Sequence, residues 1–156
     1  MTNYILKTET GHLYITPTGF LIYAENYYSA SMNWKSDGKY SPVPYFLLCR
    51  SIELGLKAFA LAKGESIKVL GSHKVGHNLM VLLDKTKNHS LSDLVVITKE
   101  DETELAKANI YYNDKGFEYF KIKNLFDKSN LPDLEILKGF SEKLLKDIKS
   151  FILSSA

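Results

Sequence analysis

The chain is poor in the residues that staple or interrupt a fold. One cysteine, Cys49, stands among 156 residues. An intrachain disulfide is therefore excluded, and a lone thiol fits a reducing compartment. With four prolines and nine glycines, no segment is rich enough in Pro, Gly or Ser to divide the chain. There is no internal repeat and no low-complexity stretch. No run approaches the roughly 18 apolar residues of a membrane span. The opening MTNYILKTET lacks a basic stretch followed by an apolar core, so no signal peptide is expected and the expected location is the cytoplasm. An excess of one charge is missing too. A formal net charge of +2 does not by itself argue for nucleic acid. The distribution is less even than the total. Residues 50–90 hold seven basic against three acidic residues, and residues 98–118 hold three against six. That implies a polarised surface, although solvated helix faces explain either segment taken alone.

What remains is an ordinary globular composition, 45% apolar and 24% charged, long enough for one domain with a real core. We expect a single domain over 1–156. Residues 1–15 form an N-terminal arm or short strand, and 16–153 form a helical bundle. Thr16 suits a helix cap and Pro17 a first helical position, because the N–H that proline lacks would be unpaired there anyway. Phe20, Ala24, Tyr27, Tyr28 and Ser31 follow at helical spacing, with an end expected near Trp34. The clearest helix starts at Ser41 and Pro42 and stops at Gly64. It is apolar over most of its circumference, leaving only the strip Arg50, Glu53, Lys57. Such a helix is the centre of a bundle or part of an oligomer interface. Residues 65–75 read as a connection. Gly76 or His77 opens the next helix, HNLMVLLDKTKN. Thr98 and Asp101 have the spacing of a capping box, and Asp114 to Gly116 break the helix they start. FEYFKI reads as extended. The last helix runs from near Pro132 to Leu153 on the stripe Leu137, Phe140, Leu144, Ile148, Phe151, Ile152. The fold class is all-α, an antiparallel up-and-down bundle of four to five helices.

The densest chemistry lies in SHKVGHNL, residues 72–79, which holds two of the four histidines. His73 and His77 are four apart, a zinc spacing on a helix. However, Lys74 stands where a zincin has its glutamate, and no third ligand is evident, so no metal is expected. Gly71 and Gly76 have P-loop spacing without the Lys and Ser/Thr that must follow, and no other cofactor motif appears. A weaker anion site remains. The N–H groups at the start of that helix, with Lys68, Lys74, His77 and Asn78, suit a phosphate. The plainer alternative is that His77 caps the helix or bonds its neighbour. Cys49 sits among apolar residues and has the setting of an inert thiol. Tyr27 with Tyr28, and Tyr111 with Tyr112, offer stacking surfaces but read first as packing. Arg50 is the only arginine among twenty basic residues. Arginine suits planar pairing under partial burial, so we expect Arg50 to meet a carboxylate, either Glu53 or one across an interface. An RNA phosphate is the functional alternative. Glu53 and Lys57 have the favourable i, i+4 order.

RSIELGLKAFALAKG followed by HKVGHNLMVLL resembles bacterial HEPN-domain proteins, many of which carry an I-E-L-x-L-K-A helix and then a K-x-x-G-H-N/D-L segment. IYYNDKGFEYF and LPDLEILKGFSEKLL resemble the tail of such sequences. The resemblance spans most of 18–153 and is strongest at 50–83. It implies a helical bundle that forms a homodimer. Many members are metal-independent RNA endonucleases whose arginine and histidine lie close together in sequence. The positions that would hold that arginine before His77 are Ser72, Gly71 and Leu70. The expectation is therefore a non-catalytic, dimeric HEPN-like protein with a nucleic-acid, nucleotide or defence-related role. Its partners would be a second copy, RNA, a nucleotide or a nucleotidyltransferase-type protein. One alternative is a metal-independent RNA endonuclease using His77, with Lys74 or Arg50 on the phosphate. Another is a protein-interaction or antitoxin-like module.

Overall fold

Thr16 and Pro17 begin the bundle. In the computed structural model, which describes residues 4–8, 11–119 and 130–155, helix α1 spans Pro17–Met32. The Thr16 hydroxyl accepts the Gly19 N–H at 2.9 Å, and Pro17 takes the first turn. Before it, β1 (Tyr4–Thr8) and β2 (Gly11–Ile15) pair antiparallel, with Tyr4 opposite Ile15 and Thr8 opposite Gly11. The expected arm is thus a two-stranded hairpin.

Helix α2 covers Val43–Ala62 and is the axis of the fold. Leu48, Ile52, Leu56 and Phe59 on one stripe, and Leu54, Ala58 and Leu61 beside it, are all buried. Helices α1, α4 (Leu79–Asn88), α5 (Lys99–Tyr112) and α6 (Leu134–Ser154) all pack on α2. Its broad apolar surface is therefore consumed within one chain. Gly55 sits in the middle of α2, where glycine lowers helix stability by about 1 kcal/mol relative to alanine. The reason is proximity to α6. A Cβ there would lie 3.1 Å from Leu145 Cδ2 and 3.2 Å from Leu144 Cδ2. Nearby, the buried Ser51 hydroxyl donates to Ala24 O on α1 at 2.8 Å. The Ser141 hydroxyl on α6 meets the Ser51 hydroxyl at 2.9 Å, so one hydroxyl pair ties three helices.

Several boundaries differ from the sequence expectation. The connection after α2 contains a one-turn helix, α3 (Ile67–Leu70), because the Ser66 hydroxyl accepts the Val69 N–H at 3.2 Å. Helix α4 begins at Leu79, not at Gly76 or His77. Asn78 is its cap, accepting the Val81 N–H at 3.1 Å. The LSDLVVI segment contains a single 3-10 turn, Leu91–Asp93. Thr98 and Asp101 form the expected reciprocal capping box. Phe117 to Tyr119 continue in turns instead of the expected strand, and the remainder of FEYFKI lies outside the described residues. Phe117 is held there by stacking between Tyr45, at 5.4 Å, and Tyr111, at 5.3 Å between ring centres. Among the described residues no helix is long and apolar enough to cross a membrane. The all-α bundle is as expected.

The α2–α6 contact gives a direct test. Gly55→Leu should destabilise the protein by about 1–3 kcal/mol through overpacking, despite better helix propensity. Urea denaturation checks this. A lower midpoint at unchanged slope is expected, and an unchanged midpoint would mean that the leucines of α6 yield freely.

Candidate functional site

A carboxylate lies at the centre of the polar strip on α2. The Glu53 side chain is 1% exposed, inside a helix whose inward positions are mostly apolar. Every donor within reach converges on it. Arg50 Nη1 spans both oxygens at 3.0 and 3.1 Å. Lys57 Nζ reaches Oε1 at 2.6 Å. On Oε2, His77 Nδ1 sits at 3.0 Å and the buried Tyr112 hydroxyl donates a short bond. Arg50 and Lys57 come from the neighbouring turns of the same helix. His77 arrives from the loop before α4, and Tyr112 from the last residue of α5.

This arrangement sets the charges. Burial by itself would raise the Glu53 pKa. The hydrogen bond from His77 and the charges of Lys57 and Arg50 outweigh burial and hold it down at about 2. Burial and the adjacent Glu53 carboxylate push the Tyr112 phenol well above the usual tyrosine range, so it stays a donor. Burial would lower the Arg50 pKa, but the Glu53 charge raises it further. The cluster is therefore two cations on one anion, with Arg50, whose side chain is 29% exposed, reaching towards solvent.

An ionised carboxylate can only accept, so His77 Nδ1 must carry its proton. In the neutral ring this leaves Nε2 as the basic nitrogen. Tyr112 fixes the ring plane as well, lying edge-on to His77 at 6.1 Å and 89°. The His77 side chain is 44% exposed, and it opens on a cleft of about 580 Å³. Gly71 to Lys74, Gly76 to Asn78, Asn113 and Lys115 line that cleft. None of these lining residues is acidic. The volume falls within the roughly 300–1,000 Å³ of small-ligand sites.

The proposed phosphate candidates divide accordingly. Lys74, His77 and Asn78 share the cleft, whereas Lys68 lies exposed on α3 and is not among its lining residues. Arg50 meets His77 only through Glu53, their shared acceptor. The α4 amides are largely occupied: Leu79 N donates to Asn109 Oδ1 at 2.8 Å and Val81 N to Asn78. Positive charge in the cleft thus comes from side chains more than from the helix end. His77 bonds neither as a cap nor to a sequence neighbour, but to a residue 24 positions earlier. His73 and His77 lie in turns and do not share a helical face. Among the described residues, no group of three His, Cys, Asp or Glu is placed to hold a metal ion. Cys49 is buried, and burial first, then nearby Glu53, pushes its thiol up.

The sequence offered Arg50 either Glu53 or a carboxylate across an interface and paired Glu53 with Lys57, but it did not single out Glu53 as the hub. It treated Tyr112 as packing or stacking surface and passed over Asn113 and Lys115. For Glu53 a signal existed: a carboxylate with a cation three residues before and another four after, inside an otherwise apolar helix. For Tyr112 there was none, because its role depends on a residue 59 positions away. Comparison of the chain with protein-family models, curated proteins and solved structures gives no match.

Replacing the hub should be costly and pH-dependent. Glu53→Gln leaves two buried or half-buried cations without their anion and should destabilise by about 3–5 kcal/mol at neutral pH. The sign follows from the lowered pKa. The Glu53 contribution is fully present above its ordinary value of 4.5 and is lost as pH falls towards about 2. Urea midpoints of wild type and variant should therefore converge over that interval. A constant gap would show that Glu53 is not held ionised by the fold.

Proposed function

We propose that this protein is a HEPN-like RNA endonuclease that works without a metal ion, with His77 as its base. One observation carries the reading: the buried Glu53 carboxylate holds the proton on His77 Nδ1 and leaves Nε2 free at a cationic cleft. A carboxylate that fixes an imidazole tautomer is the arrangement general-base catalysis needs. RNA suits such a site because it carries its own nucleophile. His77 Nε2 takes the proton from a ribose 2′-OH. The O2′–P bond forms as the P–O5′ bond breaks, and the departing O5′ takes a proton from water. The products are a 2′,3′-cyclic phosphate and a 5′-hydroxyl. Lys74 lines the same cleft and suits the charge of the reacting phosphate.

This moves the weight from the non-catalytic reading to its alternative. The missing family arginine favoured the former. Arg50 does not replace it directly. Its guanidinium is spent on Glu53, and it contributes to the cleft by locking the carboxylate that orients His77. The homodimer is retained as part of the proposal on the resemblance, since α2 needs no second copy to cover it. Light scattering at micromolar concentration should then give about twice 17.7 kDa.

Incubation with a labelled single-stranded oligoribonucleotide tests the reaction. His77→Ala should lower the cleavage rate at least about 100-fold. A 2′-deoxy residue at the scissile position should block cutting there, and the product should carry a cyclic phosphate. Absence of His77-dependent cleavage, with the variant folded, would dispose of the enzyme and leave a binding module.

A further inference from the structure

Helices α2 and α5 end in the same hydrogen-bonded motif with different residues at its critical position. At the end of α2, Glu65 N donates to Ala60 O at 3.0 Å and Gly64 N to Leu61 O at 2.9 Å. Gly64 occupies the left-handed position with φ +95°. This is the Schellman arrangement, in which glycine is the usual residue because a Cβ there meets the backbone. At the end of α5, Gly116 N donates to Tyr111 O at 2.6 Å and Lys115 N to Tyr112 O at 3.0 Å. The left-handed residue is now Lys115, with φ +56°. A glycine is present, but one position later. Lysine is not among the side chains that tolerate this backbone well; asparagine and aspartate are. The chain therefore carries local strain at Lys115 that its own α2 terminus avoids.

Lys115 is also exposed and lines the cleft that His77 opens on. Lys74 lines it from a separate segment, the loop between α3 and α4. The residue placed at the left-handed turn after α5, at the cleft wall, is thus a cation. Strain held at a ligand-facing position is a recurrent feature of functional sites. We infer that Lys115 is a substrate-binding residue that contacts a phosphate of single-stranded RNA adjacent to the one at His77, and that its strained backbone is kept at the expense of stability. The inference rests on the RNA-cleaving reading and names the strand beyond the scissile phosphate as its substrate contact.

The prediction is a trade of opposite signs at one residue. A fluorescent oligoribonucleotide with 2′-O-methyl groups throughout binds without being cut, so wild-type protein can be titrated directly. Lys115→Gly should raise the melting temperature by about 2–4 °C, because glycine relieves the backbone. It should also weaken binding several-fold and reduce the slope of log Kd against log salt by about 0.7, one single-strand phosphate contact. Lys115→Arg should keep both affinity and slope. If wild type binds and Lys115→Gly binds equally with the same slope, the inference fails while the RNA reading stands. If the melting temperature does not rise, the strain argument fails. If wild type does not bind the oligonucleotide at all, both the inference and the reading beneath it fall.

Discussion

A buried, ionised carboxylate is the constraint on which both fold and site depend. Glu53 cannot stay ionised alone inside an apolar helix, since an unpaired buried charge costs several kcal/mol, a large part of the stability of a typical domain. It must collect donors, and in this chain they come from three places: its own helix, the loop before α4, and the end of α5. Satisfying Glu53 therefore brings those three segments together. The same bonds settle the His77 tautomer, so one electrostatic requirement organises packing and sets which ring nitrogen carries the proton.

The surroundings of the cluster follow from that requirement. Two cations on one anion leave positive charge in excess, and the cluster reaches solvent at Arg50 and at His77. The cleft beyond adds Lys74 and Lys115 with no carboxylate among its lining residues. Elsewhere several lysines have carboxylate partners. Lys143 is paired with Asp101, Lys107 with Glu104, and Lys85 with Glu65, which also holds His89. An anion entering the cleft meets no such competing carboxylate on its walls. The Asn78–Asn109 contact, which occupies two amides at the start of α4, places this loop against α5 without using the cationic side chains.

Much of the fold was legible because it depends on local rules. Thr16–Pro17, the Thr98–Asp101 box and Gly64 mark helix ends through bonds within a few residues. The stripes of α2 and α6 report burial through a 3.6-residue period. Errors fell where a short polar segment had several local choices. Ser66 made one helical turn out of an expected loop, and Asn78 capped α4 two residues later than Gly76 suggested. Phe117 was read as part of a strand, but it is pinned in a turn between two aromatic rings from other segments. No local pattern encodes that.

The site divides along the same line. The sequence alone determined that α2 is apolar over most of its circumference, that Arg50 has a carboxylate within reach at Glu53, that Lys57 stands four residues on, and that residues 72–79 concentrate polar chemistry. All of these are fixed by spacing along one segment. Only the tertiary structure decided that His77 turns back to Glu53, that Tyr112 completes the carboxylate shell, and that Asn113 and Lys115 share a cleft with Lys74. Those contacts join residues 24 to 59 positions apart in the hydrogen-bonded pairs. They exist because a buried charge must be satisfied by whatever the packed helices bring to it, and helix packing is not written in any local window.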